Sequence, residues 1–139
     1  MTTVAYSHVF GYRYDEGGQR FPQLSFRVAN PQDPSLAVDV DAFLDSGTER
    51  TLIDGQVAAI LGLELFEGPR LTFETTAGGL LPAVQHRVVL AHAELGSFEM
   101  LTAFSTAAIR RNLLGRDFFD QVQIGFRERH FEFYVSPTP

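Results

Sequence analysis

Asp45-Ser46-Gly47 lies between the apolar stretch Ala42-Phe43-Leu44 and Thr48. The triplet sets a carboxylate where an apolar strand stops and a small, polar turn begins, a placement suited to acid/base chemistry. The chain holds a single such triplet. A reaction that needs two of these aspartates must take the second from another copy of the chain. Two carboxylates held about 3 Å apart cannot both ionise, so they share one proton, and one acts as base while the other acts as acid. Ser46 is small enough to hydrogen-bond to a facing copy of the same loop. Gly47 lets the backbone turn sharply and come close to a substrate. If the Thr48 hydroxyl donates to the Asp45 carboxylate, it favours the ionised form and moves the activity optimum toward acid. Ser46 itself is no nucleophile here, having neither an identifiable base nor a Gly-x-Ser-x-Gly elbow.

Strands must present this loop. Val4–Tyr14 and Gln19–Val28 alternate apolar and polar residues around Asp15-Glu16-Gly17-Gly18, which predicts a hairpin closed by a glycine turn. After the loop Asn30–Pro34, residues Leu36–Leu44 form a strand that grows more apolar toward the triplet, with Asp39 and Asp41 facing solvent. Asp54 is placed to cap a short helix carrying Val57, Ala58, Ile60 and Leu61, and Gly62 to stop it. Arg70–Thr76 and Leu80–Leu90 flank Ala77-Gly78-Gly79 as a second hairpin. Further strands follow at Leu95–Phe104, Gln123–Phe126 and His130–Val135, with a helical turn at Asp117–Val122 and a frayed tail from Ser136. Short strands, glycine turns and one or two short helices predict an all-β barrel or sandwich.

Composition narrows the function classes. At 139 residues, 45% hydrophobic and 20% charged, the chain fits a single soluble domain spanning 1–139. A formal charge of -6 with scattered basic residues argues against nucleic acid. Without cysteine there is no disulfide, thiolate metal site or cysteine nucleophile. His8, His86, His92 and His130 lack the spacing of a helical metal site, so neither a metal nor another cofactor is expected. The N-terminus has no secretion-signal pattern and no segment approaches a membrane span, which predicts a cytoplasmic protein without a membrane partner.

About seventy residues after the triplet comes a second apolar-apolar-Gly segment, Leu113-Leu114-Gly115-Arg116-Asp117, with the glycine-tipped hairpin between them. In this order the three features resemble the retropepsin-like aspartic proteases, single-domain relatives of pepsin that work as homodimers. The resemblance runs from about Leu36 to Tyr134 and implies a closed β-barrel-like fold. Residues 36–135 are then a protease core, and 1–35 an added N-terminal hairpin. It further implies peptide-bond hydrolysis without metal or covalent intermediate, by a water activated between Asp45 and its symmetry mate. Thr75–Pro82 corresponds to the flap, whose Thr76, Ala77, Gly78 and Gly79 would touch an extended peptide. Glu49 and Arg116 stand where the family pairs an acid with an arginine, a partly desolvated contact expected to support structure and dimer assembly. Thr48 departs from the alanine usual there in retroviral enzymes. Arg111 falls where related enzymes line a substrate pocket and so implies acidic substrate side chains; the alternative is a solvated charge beside Arg110. The family also suggests that terminal strands, here Phe131–Tyr134, interleave between subunits. A chain that kept this fold without a productive dimer would instead be a binding or assembly module. A third reading takes the triplet as a plain turn in an all-β scaffold.

Overall fold

Leu24, Phe26 and Val28 are buried while Arg27 between them is exposed, the period of two that puts one face of a strand into a core. In the computed structural model, which describes residues 2–138, that strand is one of twelve. Strands β1 (His8–Gly11), β2 (Arg13–Tyr14), β3 (Arg20–Phe21), β4 (Gln23–Asn30), β5 (Asp33–Leu44) and β6 (Leu52–Asp54) lead into helix α1 (Gly55–Ile60). A 3-10 turn at Leu65–Glu67 precedes β7 (Arg70–Glu74), β8 (Leu80–His92), β9 (Gly96–Ser105) and β10 (Asn112–Leu114). Helix α2 (Arg116–Phe119), β11 (Val122–Arg127) and β12 (Glu132–Pro137) complete the chain.

Seven strands follow the order β4-β5-β10-β6-β9-β8-β7, and β8 also returns to β4. Arg27–Ala29 lie opposite Val89–Ala91 in that closing pair. The result is a ring of strands, with β7 attached to the first half of β8. This is the all-β architecture expected from the sequence, although the barrel is a ring rather than a fully closed cylinder. A second sheet, β1-β12-β11, lays Phe133, Val135 and Val122 into the same core as Leu24, Phe26, Val88 and Leu90 of the ring. Phe118 of α2 meets Phe26 and Phe98 edge to face at 5.5 and 5.3 Å.

Helix α1 is built as its sequence predicts. The Asp54 carboxylate accepts from Gln56 N, and Gly62 takes the left-handed φ of +72° that ends the helix. The N-terminal segment is different. Only Arg13–Tyr14 and Arg20–Phe21 pair as the expected hairpin, whereas β1 joins β12 and β4 joins β5 and β8. Residue 36 therefore marks no structural break, because the apolar face of β4 has nowhere to be buried except inside the ring. The terminal residues also depart from expectation. Ser136 and Pro137 pair with Gln123 and Val122 instead of fraying, and Pro139 lies outside the described residues. Within the chain β12 is flanked by β1 on one side and by β11 on the other. His92, the last residue of β8, packs its ring against Phe10 and Phe26, and burial pushes the imidazole below its usual range. Among the described residues no helix is long and apolar enough to cross a membrane.

Candidate active site

Strand β10 lies between β5 and β6, parallel to the first and antiparallel to the second. The segment Asp45–Thr51, which joins β5 to β6, must therefore pass over the end of β10. Backbone bonds fix that crossing: Asp45 N donates to Leu114 O at 2.9 Å, Arg116 N to Thr48 O at 2.9 Å, and Asp117 N to Glu49 O at 3.1 Å. Gly115 lies directly against the loop. A Cβ there would sit 2.6 Å from the Arg50 carbonyl carbon, so only glycine admits this approach.

Thr51 and Asp117 complete the crossing. The Asp117 carboxylate accepts from Thr51 N at 2.9 Å, Thr51 Oγ1 at 2.8 Å and Phe118 N at 2.8 Å, while Thr51 Oγ1 accepts from Gly115 N at 3.2 Å. Sequence reasoning missed this pair. Its one signal is that Asp117 directly follows the Leu-Leu-Gly-Arg segment.

Asp45 is presented differently. Its Oδ1 accepts from Gly47 N at 2.8 Å, the turn that an Asp-x-Gly sequence favours, and among the described residues Gly47 is its one donor. The carboxylate, together with Gly47, Thr48 and Leu113, lines a cleft of about 300 Å³ whose opposite wall is Phe73, Glu74, Thr75 and Thr76. That wall belongs to the β7–β8 hairpin. Gly78 N donates to Thr75 O at 2.9 Å, Thr75 N to Gly79 O at 2.9 Å, and Gly79 N to Thr75 Oγ1 at 3.0 Å. Gly78 has φ +82°, the left-handed residue that follows a type I turn in a three-residue hairpin loop. Of the four tip residues singled out in the sequence, Thr76 lines the cleft; Ala77, Gly78 and Gly79 lie exposed beyond it. Ser46 is exposed at the rim.

Three expectations change. The Thr48 hydroxyl donates to Arg50 O at 3.4 Å and not to Asp45, which removes the expected route from Thr48 to an acid optimum. Arg116 and Glu49 do meet, at 3.4 Å, but their side chains are 55% and 81% exposed, so within one chain the pair is solvated rather than partly desolvated. Such a pair contributes about 0–1 kcal/mol. Arg111 is neither free nor beside a solvent-only surface. Its Nη2 lies 3.0 Å from Asp15 Oδ2, and its guanidinium stacks 4.5 Å from the Phe43 ring and 5.0 Å from the Phe21 ring. Among the described residues no group of three or more His, Asp or Glu side chains is arranged to hold a metal ion.

The family model for aspartyl protease matches residues 29–118, which takes in Asp45, the β7–β8 hairpin and the Leu113–Asp117 segment. Among solved structures, a retropepsin-like aspartic protease from Rickettsia conorii superposes with a TM-score of 0.61 at 14% identity, covering 98% of this chain and 100% of that one. That likeness is one of fold. The EIAV protease complexed with the inhibitor HBY-793 aligns at a TM-score of 0.49 and 16% identity, over 72% of this chain and 86% of that one, too loosely to carry an argument. No curated protein matches the chain.

Proposed function

The chain belongs to the aspartyl protease family, and from that premise we propose that it is an aspartic endopeptidase whose catalytic dyad forms when two copies bring their Asp45 loops together. One observation carries the reading. Asp45 is held by its backbone to Leu114 while its carboxylate opens onto a cleft walled by a hairpin. Asp117, the aspartate of the adjoining helix, is occupied by Thr51 and Phe118 and is not free to act as the second acid. The proposal takes that acid from the Asp45 of a second chain.

In the proposed dimer the ionised member of the pair takes a proton from water as that water attacks the amide carbon, and the protonated member donates to the carbonyl oxygen. Collapse of the tetrahedral adduct then breaks the C–N bond, with the proton passing to the leaving amine. The pair turns over only while singly protonated, which places the optimum on the acid side, as is general for aspartic proteases. Exposed Ser46 would bridge the two loops across the dimer axis. Glu49 and Arg116, solvated in one chain, would lose solvent at that contact and so support assembly. The β7–β8 hairpin would act as a flap, adding backbone hydrogen bonds to an extended peptide and shutting out water. Residues 1–139 act as one domain in this reading, in a cytoplasmic homodimer without a bound cofactor.

Cleavage of a peptide library by the wild type and by Asp45→Asn, across acid to neutral pH, tests it. The substitution should lower kcat/KM by about 10³-fold or more, since both general acid and general base are affected. Activity should also fall faster than linearly on dilution through dimer dissociation. Equal cleavage by both proteins, or strictly linear dilution, would refute the reading.

A further inference from the structure

Leu113 lines the cleft with Asp45, and Phe43 stands opposite Leu113 in the parallel β5–β10 pair. Partners in register project to the same side of a sheet, and so do residues two apart along a strand. Phe43 therefore continues the cleft-side face beyond Leu113, and Arg111, which directly precedes β10, lies beside it with its guanidinium stacked 4.5 Å from the Phe43 ring. An arginine at the end of a peptide-sized cleft would select acidic side chains.

The N-terminal turn is built against that charge. Asp15 N and O bond to Gln19 O and Gly18 N at 2.7 and 3.1 Å, and Asp15 Oδ1 accepts from Gln19 N at 2.8 Å. The other oxygen, Oδ2, is left for Arg111 at 3.0 Å, on a side chain that is only 4% exposed. Phe21, which follows in β3, and Phe43 both lie against the guanidinium, at 5.0 and 4.5 Å, as adjacent rings 5.7 Å apart. The carboxylate thus sits where an acidic substrate side chain would reach Arg111.

We propose that Asp15 is a specificity-determining positioning residue that masks Arg111, so that this end of the cleft takes apolar or aromatic substrate side chains and rejects Asp and Glu. The proposal rests on the protease reading for the identity of its ligand, an extended peptide, and it reverses the expectation that Arg111 recognises acid. A carboxylate brought by substrate finds Arg111 already paired and meets the Asp15 charge as well.

Peptide binding tests this separately from catalysis. Octapeptides that differ only by Leu or Glu, placed in turn at each position, are titrated into the full chain carrying Asp45→Asn, at a concentration where sedimentation gives one species. Adding Asp15→Asn keeps an oxygen for Gln19 N while removing the mask. At one peptide position the preference for Glu over Leu should then rise about tenfold, the worth of one hydrogen bond to a charged group. Further addition of Arg111→Gln should cancel the rise. Simple loss of packing would weaken every peptide alike. If Asp15→Asn fails to fold by circular dichroism, Asp15→Ser, which also keeps an oxygen acceptor, is read in its place. An unchanged preference, a rise that persists without Arg111, or no binding of any peptide would overturn the proposal. A wild type that binds peptides with these preferences but cleaves none would instead remove the protease reading alone.

Discussion

The two walls of the cleft are held in opposite ways. On one side, Asp45–Thr51 is tied by backbone bonds to Leu114, Arg116 and Asp117, anchored by the Thr51–Asp117 contact and pressed against Gly115. On the other, among the described residues Thr75–Gly79 bonds only within itself, and its residues are exposed. The first wall is determined many times over, the second by one turn. In the proposed dimer, a carboxylate meeting its symmetry mate to within a fraction of an ångström would need the first kind of support, and a hairpin acting as a flap would need the second.

Substitutions can break this contrast. The largest effect belongs to Gly115→Ala, whose methyl would drive into the Arg50 backbone. It should cost about 3 kcal/mol and lower Tm by about 10 °C in a thermal melt; a wild-type melt would mean that the loop is not fixed by this contact. Asp117→Ala comes next. It strips the acceptor from Thr51 N, Thr51 Oγ1 and Phe118 N, and chemical denaturation should show a loss of about 2 kcal/mol. The smallest effect on stability is expected at Gly78→Ala, where space is open and the sole cost is a left-handed alanine, about 1 kcal/mol. If that strain is borne by the closed hairpin, kcat/KM falls about fivefold. A Gly78→Ala protein that melts as early as Gly115→Ala would erase the difference between the walls.

Much of this was legible in the chain because it is local. Asp54 before an apolar helical stripe, Gly62 after it, and Gly78 between two strand patterns each act through neighbours within a few positions, and each is found in its predicted role. Asp45 and Gly115 were legible as a pair through their order and spacing. What escaped notice depends on residues far apart in sequence. Nothing in Asp15-Glu16-Gly17-Gly18 reveals that its carboxylate reaches Arg111, and nothing in Thr51 reveals that Asp117 holds it. The alternation in Gln19–Val28 predicts a strand, but the place of β4 between β5 and β8 follows only from where a buried face can go once the ring closes. The Thr48 hydroxyl failed for the opposite reason: two acceptors lie within three residues of it, and it donates to Arg50 O.

The insertion of β10 between β5 and β6 has a consequence for how the molecule comes into being. Leu44 pairs with Leu114, and Leu52 with Ala103, so the strands on either side of Asp45 wait for partners made much later in synthesis. Pairings this distant in sequence slow folding, because loop closure costs entropy before any contact repays it. Asp45 is thus made early and seated late: a ribosome that has finished the triplet has not yet supplied the residue whose carbonyl receives the Asp45 amide.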